Sequence, residues 1–195
     1  MYHTYRNGII EVVCGPMFAG KTEELIRRIK RLEYAKQKVL VFKPKLDTRY
    51  RSNGEIVSHN RNKKCSIAIE QSSEILGYVE DDTDAVVIDE AQFLDDGIIA
   101  IADQLADQGI RVIIGGLDRD FRGEPFGPMP ALLAQAEFVT KLTAICVKSG
   151  MPATRTQRII NGKPAHYTDP TILVGAEETY EPRSRHFHEV PGKPR

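Results

Sequence analysis

The sequence has no tryptophan, only three cysteines, no excess of either charge and no long apolar run, and each shortage excludes something. Lysine plus arginine and aspartate plus glutamate stand at 27 each, so no global field draws the chain to nucleic acid or to an anionic membrane. A compact soluble ligand is the better expectation. Apolar runs stop well short of the ~20 residues that span a bilayer. The start, Met1-Tyr2-His3-Thr4-Tyr5-Arg6, lacks the apolar segment of a signal peptide, which points to the cytoplasm. Cys14, Cys65 and Cys146 are too few and too scattered for a disulfide framework, and an odd count leaves one unpaired. A length of 195 residues suits one domain, or one domain with a small appendage.

What the chain does contain is organised around Gly15-Pro16-Met17-Phe18-Ala19-Gly20-Lys21-Thr22. This stretch fits the pattern G-x-x-x-x-G-K-[ST], in which backbone N–H groups wrap phosphates, the lysine reaches the outer ones and the hydroxyl helps hold Mg²⁺. Ile9 to Val13 reads as a strand entering the loop and Thr22 to Ala35 as the helix leaving it, so both required neighbours are present. The helix carries Leu25, Ile26, Ile29 and Leu32 on one face and Arg27, Arg28, Lys30 and Arg31 on the other. That basic face is read as solvated, with an anionic contact surface as the alternative.

Val39 to Phe42, Ala85 to Ile88, Val112 to Ile114 and Val139 to Ile145 read as further strands. Ser73 to Glu80, Asp96 to Gln108 and Met129 to Ala136 read as helices. Continuously apolar strands alternating with helices predict an α/β fold, a parallel sheet with helices on both faces. From Lys43 to Lys64 the pattern breaks into turn residues, including Asn53-Gly54, and reads either as a mobile excursion near the phosphates or as an ordinary surface loop. His59 has no partner at ligand spacing. Beyond Cys146 the chain becomes rich in proline, with one clear β run, Thr171 to Val174, which predicts a small loop-rich appendage. The expected division is therefore residues 1–145 and 146–195.

The strand ending in Asp89-Glu90 supplies the second constellation. An acidic residue at the end of a strand beside a phosphate loop holds Mg²⁺ through its oxygens or through water, and Asp89 suits that role. Glu90 is one residue further on, so the two carboxylates are free to serve different partners, Glu90 taking the proton of an acceptor hydroxyl. Met17, Phe93, Leu117, Phe121 and Phe126 lie in loops or just beyond strand ends, where an open parallel sheet binds ligands. For each singly, core packing is the commoner role; together they suggest a wall for a flat base.

These stretches together resemble the thymidine kinases of the type II class. The resemblance is carried by the phosphate loop, Phe42-Lys43-Pro44-Lys45 with Asp47-Thr48-Arg49-Tyr50, Ile88-Asp89-Glu90-Ala91-Gln92-Phe93, and Gly116-Leu117-Asp118. It extends to Phe121-Arg122, Pro125-Phe126 and Thr154-Arg155-Thr156-Gln157-Arg158. It implies a P-loop NTPase-like sheet with a C-terminal lasso domain covering the nucleoside, and ATP-dependent phosphorylation of the thymidine 5′-hydroxyl, with deoxyuridine as a second substrate. On that resemblance Gly15 to Thr22, Asp47 and Asp89-Glu90-Ala91-Gln92 bind ATP. Thr22 and Asp89 attend Mg²⁺, and Glu90, Lys21 and Arg49 are catalytic. Phe121 meets the thymine ring with Met17, Phe93, Leu117 and Phe126 beside it, and Thr156, Val174, Gly175 and Tyr180 belong to the lasso. A homotetramer inhibited by dTTP is implied, with no nucleic-acid or membrane partner. The alternative reading is a P-loop ATPase or nucleotide sensor acting on nucleic acid.

At one point the sequence departs from the family, whose appendage is tied by a structural zinc between two C-x-x-C pairs. Here those positions read Cys146 and Ser149, then Ser184 and Phe187. A hydroxyl is a poor zinc ligand and a phenyl ring is none, so the expectation is a zinc site lost, with Phe187 as an apolar plug. A replacement trio of Cys146, His186 and His188 is the disfavoured alternative.

Overall fold

The structure, a computed structural model, describes residues 8–45, 66–171 and 178–194. The main sheet has six parallel strands: β1 (Ile10–Cys14), β2 (Val39–Pro44), β3 (Ile67–Ile69), β4 (Ala85–Ile88), β5 (Arg111–Gly116) and β6 (Phe138–Lys141), in the order β3-β2-β4-β5-β1-β6. Alternate residues of each strand enter different layers, because successive side chains leave a strand on opposite faces. Val13, Ala85, Val87 and Ile113 pack against Leu25, Ile29 and Leu32 of α1 (Lys21–Tyr34). Val12, Cys14, Val86, Ile88, Val112 and Ile114 pack on the other side against α2 (Gly97–Asp107) and α3 (Met129–Gln135). Burial on both faces is why these strands read as unbroken apolar runs. Each fully buried branched side chain contributes about 1.5–3 kcal/mol by leaving water.

One charge sits inside this sheet. Glu11 on β1 is buried, and its carboxylate takes Arg28 of α1 on one oxygen and Arg111 of β5 on the other, with Arg111 Nε at 2.6 Å. Arg28 also donates to Thr140 Oγ1 at 2.9 Å, so it is neither a solvated residue nor part of a contact surface, as the charge pattern suggested. A buried carboxylate is tolerated only when paired, and the pairing ties α1 to the strands beneath it.

Several boundaries differ from the sequence reading, each for a local reason. Ser72–Gly77 is a 3₁₀ helix, not an α-helix; Glu74 folds back onto the backbone of Gln71 and Asp95 accepts from Ser72, which secures a short turn without further helix. Lys43 and Pro44 belong to β2, while residues 46–65, the rest of the irregular stretch, lie outside the described residues. The run from Val139 to Ile145 is split: β6 ends at Lys141, and β7 (Ala144–Ile145) turns away to pair with β8 (Pro152–Ala153). The appendage also holds a three-stranded antiparallel sheet of β9 (Arg155–Ile160), β10 (Lys163–Pro164) and β11 (Glu178–Arg183). Residues 172–174 of the expected β run are outside the described residues. Among the described residues, no helix is long and apolar enough to cross a membrane.

Candidate active site

Parallel strands end on one edge of the sheet, and the register brings their C-terminal ends level: Cys14 pairs with Gly116, and Phe42 with Ile88. The residues that follow those ends build the site. Gly15 has φ of +149°, and a Cβ there would lie 2.5 Å from the Leu142 carbonyl oxygen, so only glycine lets β1 turn sharply under the next strand. Gly20, in the left-handed region, then starts α1, whose first N–H groups face the loop.

Lys21 Nζ donates to the Pro16 carbonyl at 2.7 Å, which places the ammonium over the loop. Burial pushes the Lys21 pKa down; Asp89, Asp118, Cys14 and Glu90 push it back up. Thr22 Oγ1 donates to Asp89 Oδ2 at 3.3 Å, and Lys43 Nζ lies 3.4 Å from the same oxygen. Asp89 is buried and also accepts the Glu90 N–H on Oδ1 at 3.0 Å. The Thr22 hydroxyl and the Asp89 carboxylate bring hard oxygen donors to one point beside the loop, a donor set that fits Mg²⁺. Glu90 has φ of +57°, a left-handed conformation that a residue with a side chain adopts at a cost. Such strain recurs where a side chain is aimed for function.

Close approach explains the glycine pair at the end of β5. A Cβ on Gly115 would meet Leu25 Cδ1 at 2.5 Å and Asp89 Oδ1 at 3.3 Å, so the strand passes directly beneath α1 and the carboxylate. Next along, Gln92 is buried and its Oε1 accepts the Leu117 N–H at 2.9 Å. Phe93 and Phe126 meet edge to face, centroids 5.4 Å apart at 85°. Phe121 is buried, with the guanidinium groups of Arg122 at 4.6 Å and Arg158 at 5.3 Å from its ring centre.

Among the described residues, Thr156 Oγ1 on β9 accepts the Met17 N–H at 3.0 Å, and Ala19 of the loop packs against the cluster of Ala144, Cys146 and Ala153, so the appendage meets the phosphate loop at both places. β9 is itself held by Arg158, which is fully buried and forks onto Glu178 Oε2 at 2.6 and 2.9 Å while donating to the Pro170 carbonyl at 2.5 Å. Tyr180, half-buried on β11, donates to Glu178 Oε1 at 3.3 Å; burial first, and the Glu178 charge with it, push its pKa up to about 12. Asp47, Arg49, Val174 and Gly175 lie outside the described residues.

Two residues in this site carried no role in the sequence reading. Lys43 was legible in principle, since it follows Phe42 on β2 as Asp89 follows Phe42's register partner Ile88 on β4. Asp118 is buried and holds Lys141 Nζ at 2.7 Å, a pairing between segments that no spacing rule connects.

At the positions of the family zinc, burial raises the Cys146 pKa, but the Ser149 hydroxyl and the N–H groups of Ser184, Lys148 and Ser149 outweigh it and bring the thiol down to about 6. The two turns still face each other, now joined by hydrogen bonds. One thiol, two hydroxyls and a phenyl ring do not fit a zinc ion. His188 is directed elsewhere, its Nε2 donating to the Phe121 carbonyl at 2.8 Å. Phe187 is not the expected plug: it is 44% exposed, and the apolar groups clustered with the buried Cys146 are Ala144 and Ala153, with Ala19 against them.

Against solved structures, the chain is similar to one in a HORMA, CdnC and Trip13 complex from E. coli MS115-1, with 15% identity over 71% of this chain and 50% of that one and a TM-score of 0.42. It is also similar to the Pif1 helicase from Candida albicans, with 14% identity over 70% of this chain and 36% of that one and a TM-score of 0.37. A protein described as an ATPase is similar with 11% identity over 94% of this chain and 82% of that one and a TM-score of 0.43. The chain thus spans half the length of the first and about a third of the second. At these values the likeness says nothing of activity. A family model described as thymidine kinase matches residues 8–188, nearly the whole chain.

Proposed function

The chain belongs to the thymidine kinase family, and from that premise we propose that it transfers the γ-phosphoryl group of ATP to the 5′-hydroxyl of thymidine, and of deoxyuridine, giving the nucleoside monophosphate. The observation that carries this reading is the meeting of Lys21, Thr22 and Asp89 at the end of the sheet, with Glu90 held beside them in a strained backbone conformation. The loop's N–H groups and Lys21 bind the phosphates and meet the charge that grows on the transferring group. Thr22 and Asp89 hold Mg²⁺, which when bound neutralises phosphate charge. Glu90 accepts the proton of the attacking hydroxyl.

The base rests against Phe121, with Met17, Phe93, Leu117 and Phe126 beside it. The guanidinium groups of Arg122 and Arg158 lie against the Phe121 ring and support it in place. The Thr156 to Met17 bond supports a further feature, in which closing of residues 146–195 over the nucleoside is felt at the ATP loop. Arg49 and Asp47 act over the phosphates, Val174 and Gly175 in the lasso, and dTTP and a homotetramer complete the reading. Purified protein with ATP, Mg²⁺ and thymidine is expected to yield thymidine monophosphate. Competition among the common nucleosides sets the base preference. ATP hydrolysis stimulated by single-stranded DNA, with no thymidine dependence, would instead favour an ATPase acting on nucleic acid.

A further inference from the structure

Away from the phosphate loop, an open cleft of about 480 Å³ lies between the turn from Arg119 to Pro125 and the C-terminal tail. Arg119, Arg122, Arg155, Arg185 and Lys193 line it, with His188 among them. In a chain of zero formal charge this concentration of cations on one wall needs an account. Part of it is internal. Arg122 is saturated, with Asp120 at 2.9 Å and the carbonyls of Tyr167 and Asp169 each at 2.7 Å. Lys193 donates to the Arg122 carbonyl at 2.5 Å and lies 3.8 Å from Glu124. Arg119 donates to the Gly123 carbonyl at 2.9 Å, and its nearest carboxylate, Asp118, is 3.9 Å away and already holds Lys141.

Arg155 and Arg185 are different. Arg155 is only 7% exposed, yet its bonds within the described residues are Nη1 to the carbonyl and hydroxyl of its neighbour Thr154, both neutral. Arg185 makes no hydrogen bond or ion pair among the described residues. Burial works against the charged Arg155, and the like charges of Arg119 and Arg185 add to it; Asp118, which already holds Lys141, offsets part of this. A buried guanidinium among cations, with no carboxylate bonded to it, is costly, and an anion bound beside it would offset that cost. Gly123, at a φ of +77°, turns the chain beside Arg155 and the His188 ring without adding a side chain to this wall.

We propose that this cleft is a second anion site, which takes a small molecule carrying linked phosphate groups, an inorganic or a nucleoside polyphosphate. Guanidinium forks bind phosphate oxygens in pairs, and the volume exceeds what one phosphate fills. The site shares no residue with Gly15 to Thr22, so it stands whether or not the proposed transfer reaction is right. Its wall includes His188, bonded to the Phe121 carbonyl, so an anion here bears on the turn that carries the expected base-stacking ring.

The test uses full-length protein with Lys21→Ala, which removes the cation of the phosphate loop. Titration with sodium pyrophosphate is expected to show saturable binding at one site per chain. Adding Arg155→Gln or Arg185→Gln is expected to weaken it at least tenfold. ATP in the same background separates the sources: binding tighter than pyrophosphate that Arg185→Gln weakens assigns a nucleoside polyphosphate, and Arg185-dependent binding no tighter than pyrophosphate an inorganic one. Without pyrophosphate, Arg155→Gln is expected to raise Tm, because it removes an unpaired buried cation; with pyrophosphate, it is expected to lose the wild-type gain in Tm. Arg185 is exposed, so Arg185→Gln carries the binding test if Arg155→Gln fails to fold. No saturable binding, or binding that neither substitution weakens, overturns the proposal.

Discussion

Replacing Thr156 by valine isolates the hydrogen bond, among the described residues, between β9 and the phosphate loop. The two side chains have nearly the same shape, but valine has no acceptor, so the Met17 N–H loses its partner at 3.0 Å. Thr156 is buried on β9, so water does not readily take the hydroxyl's place there. An unsatisfied buried donor costs about 1–3 kcal/mol, and Met17 is only half-buried, which favours the lower part of that range. For a chain of this size a loss of 1 kcal/mol moves Tm by roughly 2–4 °C. Thr156→Val should therefore unfold several degrees lower. It should also bind an ATP analogue less tightly in the absence of thymidine, because the loop starts from a less ordered state. Thr156→Ser keeps the acceptor and should restore analogue binding, though not all of the packing. Calorimetric titration with and without the serine control decides it. Equal analogue affinity in wild type, Thr156→Val and Thr156→Ser would refute the claim that this hydroxyl orders the loop.

Other substitutions probe the site and its supports. Glu90→Gln should lower kcat by about 10²–10⁴ while leaving ATP binding nearly unchanged, as read by thymidine monophosphate formation and nucleotide titration. Asp89→Asn should raise the Mg²⁺ concentration needed for half-maximal rate, because the donor beside Thr22 loses its charge; an unchanged Mg²⁺ dependence would count against that assignment. Gly15→Ala puts a methyl group 2.5 Å from the Leu142 carbonyl at a φ of +149°, so soluble yield or ATP binding should collapse. Glu24 is held down to about 2, first by the hydrogen bond from Arg27 and then by Arg28. A depressed carboxylate stabilises the fold fully above its unfolded value near 4.5, and that stability is lost as pH falls through about 2. Wild type should thus exceed Glu24→Gln by about 1 kcal/mol at neutral pH, given partial exposure, with the gap closing in acid denaturation.

The main sheet was legible because both of its faces are buried: strands covered on two sides show as apolar runs, and turn residues mark their ends. The phosphate loop was legible because its glycines and its Lys21-Thr22 pair answer to local backbone geometry. The appendage was not. Arg155, Thr156, Gln157 and Arg158 look like a solvated loop, yet all four are buried on β9. Their partners come from chain segments far along the sequence: Gln157 exchanges bonds with the Glu189 backbone, and Arg158 finds Glu178 and the Pro170 carbonyl. The reading of Phe187 as a plug failed for a related reason: the apolar groups clustered with Cys146 are Ala144, Ala153 and Ala19, the last from the loop before α1, which residue type and local spacing do not reveal.

By itself, then, the sequence determined the α/β sheet, the loop that precedes α1, and the acidic pair at the end of β4, since each depends on neighbours within a few residues. Only the tertiary structure decided that Glu11 is an internal anchor, that Lys43 joins Asp89, that Thr156 reaches Met17, and that a basic cleft lies beside the tail. Buried polar groups must find partners, and a chain folded on itself supplies them from places that no local pattern encodes.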